Sequence, residues 1–336
     1  MLQVIFNKSI EDISTLDELF CAIDNANIIS LLDNALKETP KKLIYTSFDG
    51  DYLDYINHMT YVALEAGCTP VNPECALGYY VSTVSHNGKK TDTMQDCIAL
   101  ELLCDELWLF LENPTDVFLY PEGIIGEMLA WIKAKKLTGI RIYGEEMIKA
   151  FTTLTSLKSS PSENVNILTA NLKYDTLRIK ELLQDIDKNT ISDLNNRLIE
   201  RILDNRREVI YASTNFYDIK YSDWLRSYCY RNNQVAIVPS QLMNSFVLDV
   251  AYKDNIIPYY LRDRLTLLSK VKTIYFIRKP KPVPNVYSVD FVFDFAYYLA
   301  HKDRYRAVNL TWNQFDVPKF INRDWALTTK ERKQVF

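Results

Sequence analysis

The feature that most constrains this chain is an internal repeat, in which one alternation of strands and helices occurs twice. The segment Lys42–Ser47, KLIYTS, is followed 166 residues later by Glu208–Ser213, EVIYAS. At a shift of 167, Glu127 aligns with Asp294. A spacing that stays constant to one residue over more than 80 positions indicates two copies of one unit. Two unrelated α/β domains of similar rhythm are the alternative.

Each copy alternates short apolar strands with amphipathic helices, which is typical of a parallel sheet with helices on both faces. We therefore predict an α/β fold of two tandem Rossmann-like (flavodoxin-like) units. The ligand site of such a unit is expected at the carboxyl ends of its strands. For the first copy the pattern predicts strands at Leu43–Thr46, Asp105–Leu111 and Ile140–Tyr143 and helices at Tyr52–Ala66 and Thr93–Cys104.

The repeat also predicts domain boundaries. The first copy covers 1–150, with a core at 41–147 behind a helical leader, and a Ser/Thr-rich linker at 151–163 follows it. The second copy covers 164–336, with a core at 207–315. Aromatic residues precede Asp294 where glycines precede Glu127, so we expect the first copy to be active and the second to be structural. The copies would form an internal pseudo-dimer, and assembly into a homo-oligomer stays open.

Composition narrows the function classes. The chain has 336 residues and a net charge of −4, which argues against binding of a nucleic acid polymer but not of a single nucleotide. No apolar run reaches the roughly 18 residues of a membrane span, and the N-terminus lacks a basic leader, so a cytoplasmic protein is expected. Six cysteines without a CxxC pair and three histidines without HExxH predict no metal site.

Glu127 is the first candidate for chemistry. It follows Gly123 and Gly126, and the pattern predicts that it opens a helix. A carboxylate in a first helical turn is held ionised by the helix dipole, and neighbouring glycines let a ligand approach the backbone closely. The alternative is a glutamate that only stabilises the N-terminus of its helix.

Five motifs of the first copy, taken in order, resemble the nucleoside 2-deoxyribosyltransferase-like superfamily. They are I-Y-T-S with a following glycine, a helix, A-G-x-x-P-V-N-P, M-Q-D-x-x-A-L-x-L-L-C-D-E-L-W and the Gly126-Glu127 pair. The resemblance covers about 43–143. It implies a Rossmann-like sheet, cleavage or transfer of the N-glycosidic bond of a nucleoside or nucleotide, and no metal or redox cofactor.

The resemblance also implies roles for particular residues. Glu127 matches the glutamate that attacks the anomeric carbon, and Asp96 matches an acid on the preceding helix. Tyr45 lies at the aromatic position of the first strand. Ser47 and Gly50 lie in the loop that binds sugar or phosphate. We expect these side chains to line the substrate site.

Four further positions are weaker candidates. Asp105 is shared with the family, although an acid that opens a buried strand also has a structural explanation. Glu122 lies near the acid that precedes the nucleophile, and Gly123 and Gly126 belong to the same loop.

Cleavage also needs a second acid of raised pKa to protonate the departing base, and Asp96 or Glu122 could serve. For Asp96 the alternative is an exposed acid in the first turn of its helix.

The first loop departs from the family pattern. It reads T-S-F-D-G-D, without glycine at Ser47 or Phe48 and without the arginine that holds a 5′-phosphate. Asp49 and Asp51 would repel a phosphate, which favours a nucleoside over a monophosphate. The alternative function is a catalytically inactive nucleotide-binding or protein-interaction protein that retains the fold.

Overall fold

The computed structural model describes most of the predicted strands and helices of both copies. The described residues are 2–48, 59–60, 62–64, 66–73, 90–111, 122–135, 138–143, 193–214, 224–225, 228–229, 231–239, 256–278 and 285–311. Within these ranges, no helix is long and apolar enough to cross a membrane.

The described elements alternate as the sequence predicts. The strands are β1 Gln3–Ile5, β2 Lys42–Phe48, β3 Cys68–Val71, β4 Glu106–Phe110, β5 Ile140–Tyr143, β6 Glu208–Thr214, β7 Gln234–Ile237, β8 Thr273–Arg278, β9 Val286–Ser288 and β10 Arg306–Thr311. The helices are α1 Leu16–Cys21, α2 Ala26–Leu36, α3 Lys90–Leu103, α4 Glu122–Lys135, α5 Asp193–Asp204, α6 Ile256–Lys270 and α7 Val289–Ala300.

Two four-stranded parallel sheets form the framework. Sheet A has the order β3-β2-β4-β5, and sheet B has the equivalent order β7-β6-β8-β10. The first strand of each copy is therefore internal, with parallel neighbours on both sides. Its central residues are buried, as expected where helices cover both faces of a sheet. The predicted α/β fold with two Rossmann-like parallel units is confirmed.

The compact units are not the two consecutive halves of the chain. The unit that contains sheet A, here the Glu127 unit, comprises 42–207, 241–253 and 327–336. The unit that contains sheet B, here the Asp294 unit, comprises 1–41, 208–240 and 254–326. The predicted cores thus fall in different units, but the leader does not join the first copy.

The leader elements account for this difference from the predicted boundaries of 1–150 and 164–336. In the Asp294 unit, β1 pairs with β9 in antiparallel register, and α2 packs against α6 and α7. In the Glu127 unit, α5 packs against α3 and α4. Each helix therefore packs on the helices of the copy that it does not precede directly. The linker predicted at 151–163 lies outside the described residues.

Two element boundaries change the interpretation of the candidate residues. Helix α4 begins at Glu122, so Glu127 is its sixth residue and lies in the second turn, not in the first as predicted. Helix α3 begins at Lys90 instead of Thr93, which moves Asp96 away from the first turn as well. Asp294 is likewise the sixth residue of α7, so the two aligned acids occupy the same helical position.

Candidate functional site

Two hydroxyl groups of strand β2 orient the carboxylate of Glu127. Tyr45 and Ser47 are two residues apart, so their side chains lie on the same face of the sheet. The Tyr45 hydroxyl donates to Oε1 of Glu127 at 2.7 Å, and the Ser47 hydroxyl donates to Oε2 at 2.5 Å. Ser47 lies near the carboxyl end of β2, the edge at which parallel α/β units bind ligands. The sequence thus predicted three residues that meet in one site.

The electrostatics of this site differ from the prediction. Glu127 is only 5% exposed, and burial raises the pKa of its carboxyl group, although hydrogen bonds from Ser47, Tyr45 and Cys97 act in the opposite direction. The predicted cause, a helix dipole that holds the group ionised in a first turn, does not apply. Because hydroxyl donors favour the charged form, they replace the dipole as the groups that stabilise the carboxylate.

Two residues of α3 complete the site, and the sequence reasoning missed both. The Cys97 thiol hydrogen-bonds to Glu127. One turn later, Glu101 is completely buried, and neither of its carboxyl oxygens has a hydrogen-bond partner. Burial, together with the charge of Glu127, raises the pKa of Glu101 well above its usual range. The repeat held the signal for Glu101, because the aligned residue of the second copy is Leu268, an ordinary buried position.

The second copy contains the same arrangement of hydroxyls around an acid. The Tyr211 hydroxyl donates to Oδ1 of Asp294 at 2.8 Å, and the Ser213 hydroxyl donates to Oδ2 at 2.6 Å. All three side chains are buried. A tyrosine, a serine and an acid are thus placed alike in both units.

The two copies differ in the cation beside this acid. In the Asp294 unit, Arg264 forms a buried ion pair with Asp294, with its Nε 3.0 Å from Oδ1 and its Nη2 bonded to Oδ2. The residue that aligns with Arg264 in the Glu127 unit is Cys97. No Lys, Arg or His in the described part of the chain forms an ion pair with Glu127. Arg264 thus neutralises the acid of the second copy, whereas no described residue does so for Glu127.

Asp96 has a partner that removes it from the predicted role. Its carboxylate forms a buried ion pair with Arg207. A neighbouring guanidinium favours the ionised carboxylate, whereas a group that protonates a leaving base must first be neutral. We therefore correct the prediction that Asp96 is the second acid of the site. The first-turn alternative is also wrong, because Asp96 is the seventh residue of α3 and only 9% exposed.

The repeat explains why an aspartate occurs at this position in both copies. Asp263, which aligns with Asp96, forms a buried ion pair with Lys41, with Oδ1 and Nζ 2.8 Å apart. Lys41 and Arg207 each immediately precede the first strand of a sheet. Both aspartates therefore hold a basic residue at the start of a strand, which is a structural role.

Asp105 lies at the wrong end of the sheet for substrate binding. Its carboxylate accepts a hydrogen bond from the Leu43 amide at 2.9 Å, at the amino ends of β2 and β4. Ser47 is four residues further along β2, roughly 13 Å away at the usual rise of a strand. Asp105 fixes the start of two strands, so its assignment as a binding residue is corrected in favour of the structural explanation.

The glycines of α4 have different surroundings. A Cβ built on Gly126 would lie 2.8 Å from Cε of Met94, so this glycine serves the close packing of α4 on α3. A Cβ on Gly123 would meet no atom within 4 Å. Only Gly123 therefore borders open space. Glu122 begins α4, but its side chain, like the whole of Gly50, lies outside the described residues.

The described residues contain no group of three or more His, Cys, Asp or Glu side chains arranged to hold a metal ion. No protein-family model, curated protein or solved structure matches the chain. The functional argument therefore depends on the residues themselves and on the comparison of the two copies.

Proposed function

We propose that the Glu127 unit cleaves or transfers the N-glycosidic bond of a nucleoside or nucleotide, with Glu127 as the nucleophile. The observation that carries the proposal is the carboxylate of Glu127, which two hydroxyls orient and no cation neutralises among the described residues. The resemblance of its motifs to the deoxyribosyltransferase-like superfamily supplies the type of reaction.

The reaction requires a carboxylate of this kind. Cleavage of an N-glycosidic bond passes through a state with positive charge at the anomeric carbon, and a nearby carboxylate stabilises that charge. It can also form a covalent glycosyl ester, which water or a second base then resolves. Fixed hydroxyl donors keep both oxygens of Glu127 in place, so little reorganisation is needed when the sugar arrives.

The second copy supports the assignment by contrast. Asp294 has the same hydroxyl partners, but the guanidinium of Arg264 already satisfies its charge. A carboxylate in a buried ion pair is a poor nucleophile because attack would break the pair and leave the arginine uncompensated. Only the first copy therefore offers a reactive carboxylate.

The test is release of free base from a panel of ribonucleosides, deoxyribonucleosides and nucleotides. The expected result is turnover of at least one class by the wild type and loss of more than about 10³-fold in kcat/KM in Glu127→Gln. Asp294→Asn is the matched control, since it changes the aligned acid, and it should keep turnover in the fraction that folds. Folding of each variant is checked by circular dichroism and by the melting temperature.

A panel that stays intact would contradict the enzymatic proposal. If nucleotides then raised the melting temperature without turnover, the chain would be a catalytically inactive nucleotide-binding protein. The Asp294 unit favours this second candidate in one respect, because it has the same buried triad with its acid already in an ion pair.

A further inference from the structure

The Asp294 unit contains a buried cation, the guanidinium of Arg264, beside its acid. Arg264 donates to Asp294 through two nitrogens. Its Nη1 donates to the Tyr260 hydroxyl oxygen at 2.8 Å and lies 3.6 Å from Asp290 Oδ2. Its guanidinium also lies over the ring of Tyr211, 5.7 Å from the centroid. The hydroxyl-bound acid of this fold thus lies beside a place that accepts a delocalised positive charge.

The Glu127 unit has the same tyrosine, serine and acid, and no arginine at the position of Arg264. Cys97 replaces Arg264, and Gly123 replaces Asp290 at the shift of 167. Both replacements remove bulk beside the carboxylate of Glu127. Gly123 lies four residues before Glu127 and therefore on the same face of α4, and a Cβ built on it would meet no atom within 4 Å.

Glu101 adds a second observation in the Glu127 unit. It is completely buried, neither carboxyl oxygen has a hydrogen-bond partner, and the Asp294 unit has Leu268 at the aligned position. An unpaired buried carboxyl group costs several kcal/mol relative to an apolar residue of similar size. Lys135 acts on Glu101 electrostatically, and its ammonium hydrogen-bonds to the Cys104 carbonyl. Glu127 and Glu101 are thus electrostatically coupled acids, whereas the Asp294 unit has leucine in place of Glu101 and arginine in place of Cys97.

We propose that the Glu127 unit binds, beside Glu127, Glu101 and Cys97, a positively charged, planar heteroaromatic base, so that the substrates are N-glycosides of the pyridinium class. This inference depends on the proposed function and narrows it. The base of the ligand would occupy the place that the guanidinium of Arg264 has in the Asp294 unit.

The chemistry of such a substrate fits the acids that the site has. The bond between the ring nitrogen and the anomeric carbon breaks with its electron pair going to nitrogen, so the base departs neutral and needs no proton. The carboxylate of Glu127 forms an ester to the anomeric carbon in the same step. Water then cleaves the ester, its hydroxyl remaining on the sugar and its proton passing to the solvent. The site therefore works without the second acid that Asp96 was predicted to be.

The first experiment measures binding without turnover. Calorimetric titration with 1-methylnicotinamide, a cation that has no glycosidic bond, is compared with titration with neutral nicotinamide. A single compensated charge in a partly buried site predicts at least about tenfold tighter binding of the cation. The preference should disappear in Cys97→Arg, which introduces the arginine that the Asp294 unit has at this position. It should also disappear in Glu127→Gln, which removes the negative charge and replaces the first variant if Cys97→Arg does not fold.

The second experiment measures turnover on a matched pair. Nicotinamide riboside is compared with its uncharged 1,4-dihydro form, and uridine serves as an ordinary nucleoside. We expect base release from the charged riboside at least about tenfold faster than from the other two. Faster or equal release from uridine, or equal affinity for the two nicotinamides, would overturn the cationic substrate class and leave the proposed function standing. No release from any nucleoside and no binding of either nicotinamide would overturn both.

Discussion

Arg264 donates two hydrogen bonds to the carboxylate of Asp294, in a pair that is almost completely buried. The aligned pair in the other unit is Cys97 and Glu127, in which the guanidinium is absent. One substitution on the helix before the acid thus separates an ion-paired carboxylate from the one that we propose as the nucleophile.

Replacement of Arg264 by leucine should lower the free energy of unfolding by about 3–5 kcal/mol, because Asp294 would remain buried without its counter-ion. Urea denaturation gives this value directly. The double variant with Asp294→Asn should recover most of the loss, since the uncompensated charge is gone. Cys97→Ala is the matched change in the other unit and should cost only about 1 kcal/mol. Equal costs for Arg264→Leu and Cys97→Ala would contradict the contrast between the two units.

Asp96 should stabilise the folded protein and not take part in the reaction. Its replacement by alanine removes the carboxylate of a buried ion pair with Arg207, so we expect a loss of about 3 kcal/mol or more in the free energy of unfolding. Base release per folded molecule should persist. The double variant Asp96→Leu with Arg207→Leu should be more stable than Asp96→Ala. A variant at Asp96 that folds normally but has no turnover would restore it as an acid of the site.

Glu101 should make stability depend on pH in a particular direction. Its pKa is raised in the folded protein above the ordinary value of 4.5, so the folded state binds the extra proton between these two values. Its contribution is present below pH 4.5 and is lost as the pH rises toward the folded pKa, by up to about 1.4 kcal/mol per pH unit.

Glu101→Leu introduces the residue that the Asp294 unit has at the aligned position, Leu268. This variant should therefore be more stable than the wild type at pH 8, and its free energy of unfolding should depend less on pH. Glu101→Gln is the control of equal size, and it should flatten the dependence as well because glutamine does not titrate. Denaturation curves between pH 5 and pH 9 test this. A slope identical to that of the wild type in both variants would show that Glu101 is not protonated in the folded state.

The hydroxyl donors should set the pH at which Glu127 becomes ionised. Hydrogen bonds from Tyr45 and Ser47 favour the charged form, so Tyr45→Phe and Ser47→Ala should each raise the pKa of Glu127 further. The acidic limb of the profile of kcat/KM against pH should move upward by about one unit in each variant. A profile that keeps its limb while only its height falls would mean that the two residues act on the substrate and not on Glu127.

The internal repeat was the most informative feature of the sequence. It placed Tyr45, Ser47 and Glu127 in register with Tyr211, Ser213 and Asp294, because strand and helix periods are local and survive duplication. The parallel arrangement of the strands in each sheet followed from the same alternation.

The failures concern contacts that a local pattern does not encode. Asp96 was matched to an acid of the superfamily, but its partner Arg207 is 111 residues away in the sequence. The leader was assigned to the first copy by proximity in the chain, whereas the apolar face of α2 is buried against α6 and α7. Glu101 went unnoticed, although its alignment with Leu268 in the second copy pointed to a buried helix face.

The most direct test of the central claim is covalent trapping of Glu127. A nucleoside with fluorine at C2′ of its sugar slows hydrolysis of the glycosyl ester, so the intermediate accumulates and intact-mass spectrometry detects the added sugar. The nucleoside is chosen from the class that the wild type cleaves. Our account predicts one sugar per chain on the peptide that carries Glu127, and none in Glu127→Gln. Turnover without this adduct, or an adduct on another residue, would contradict Glu127 as the nucleophile.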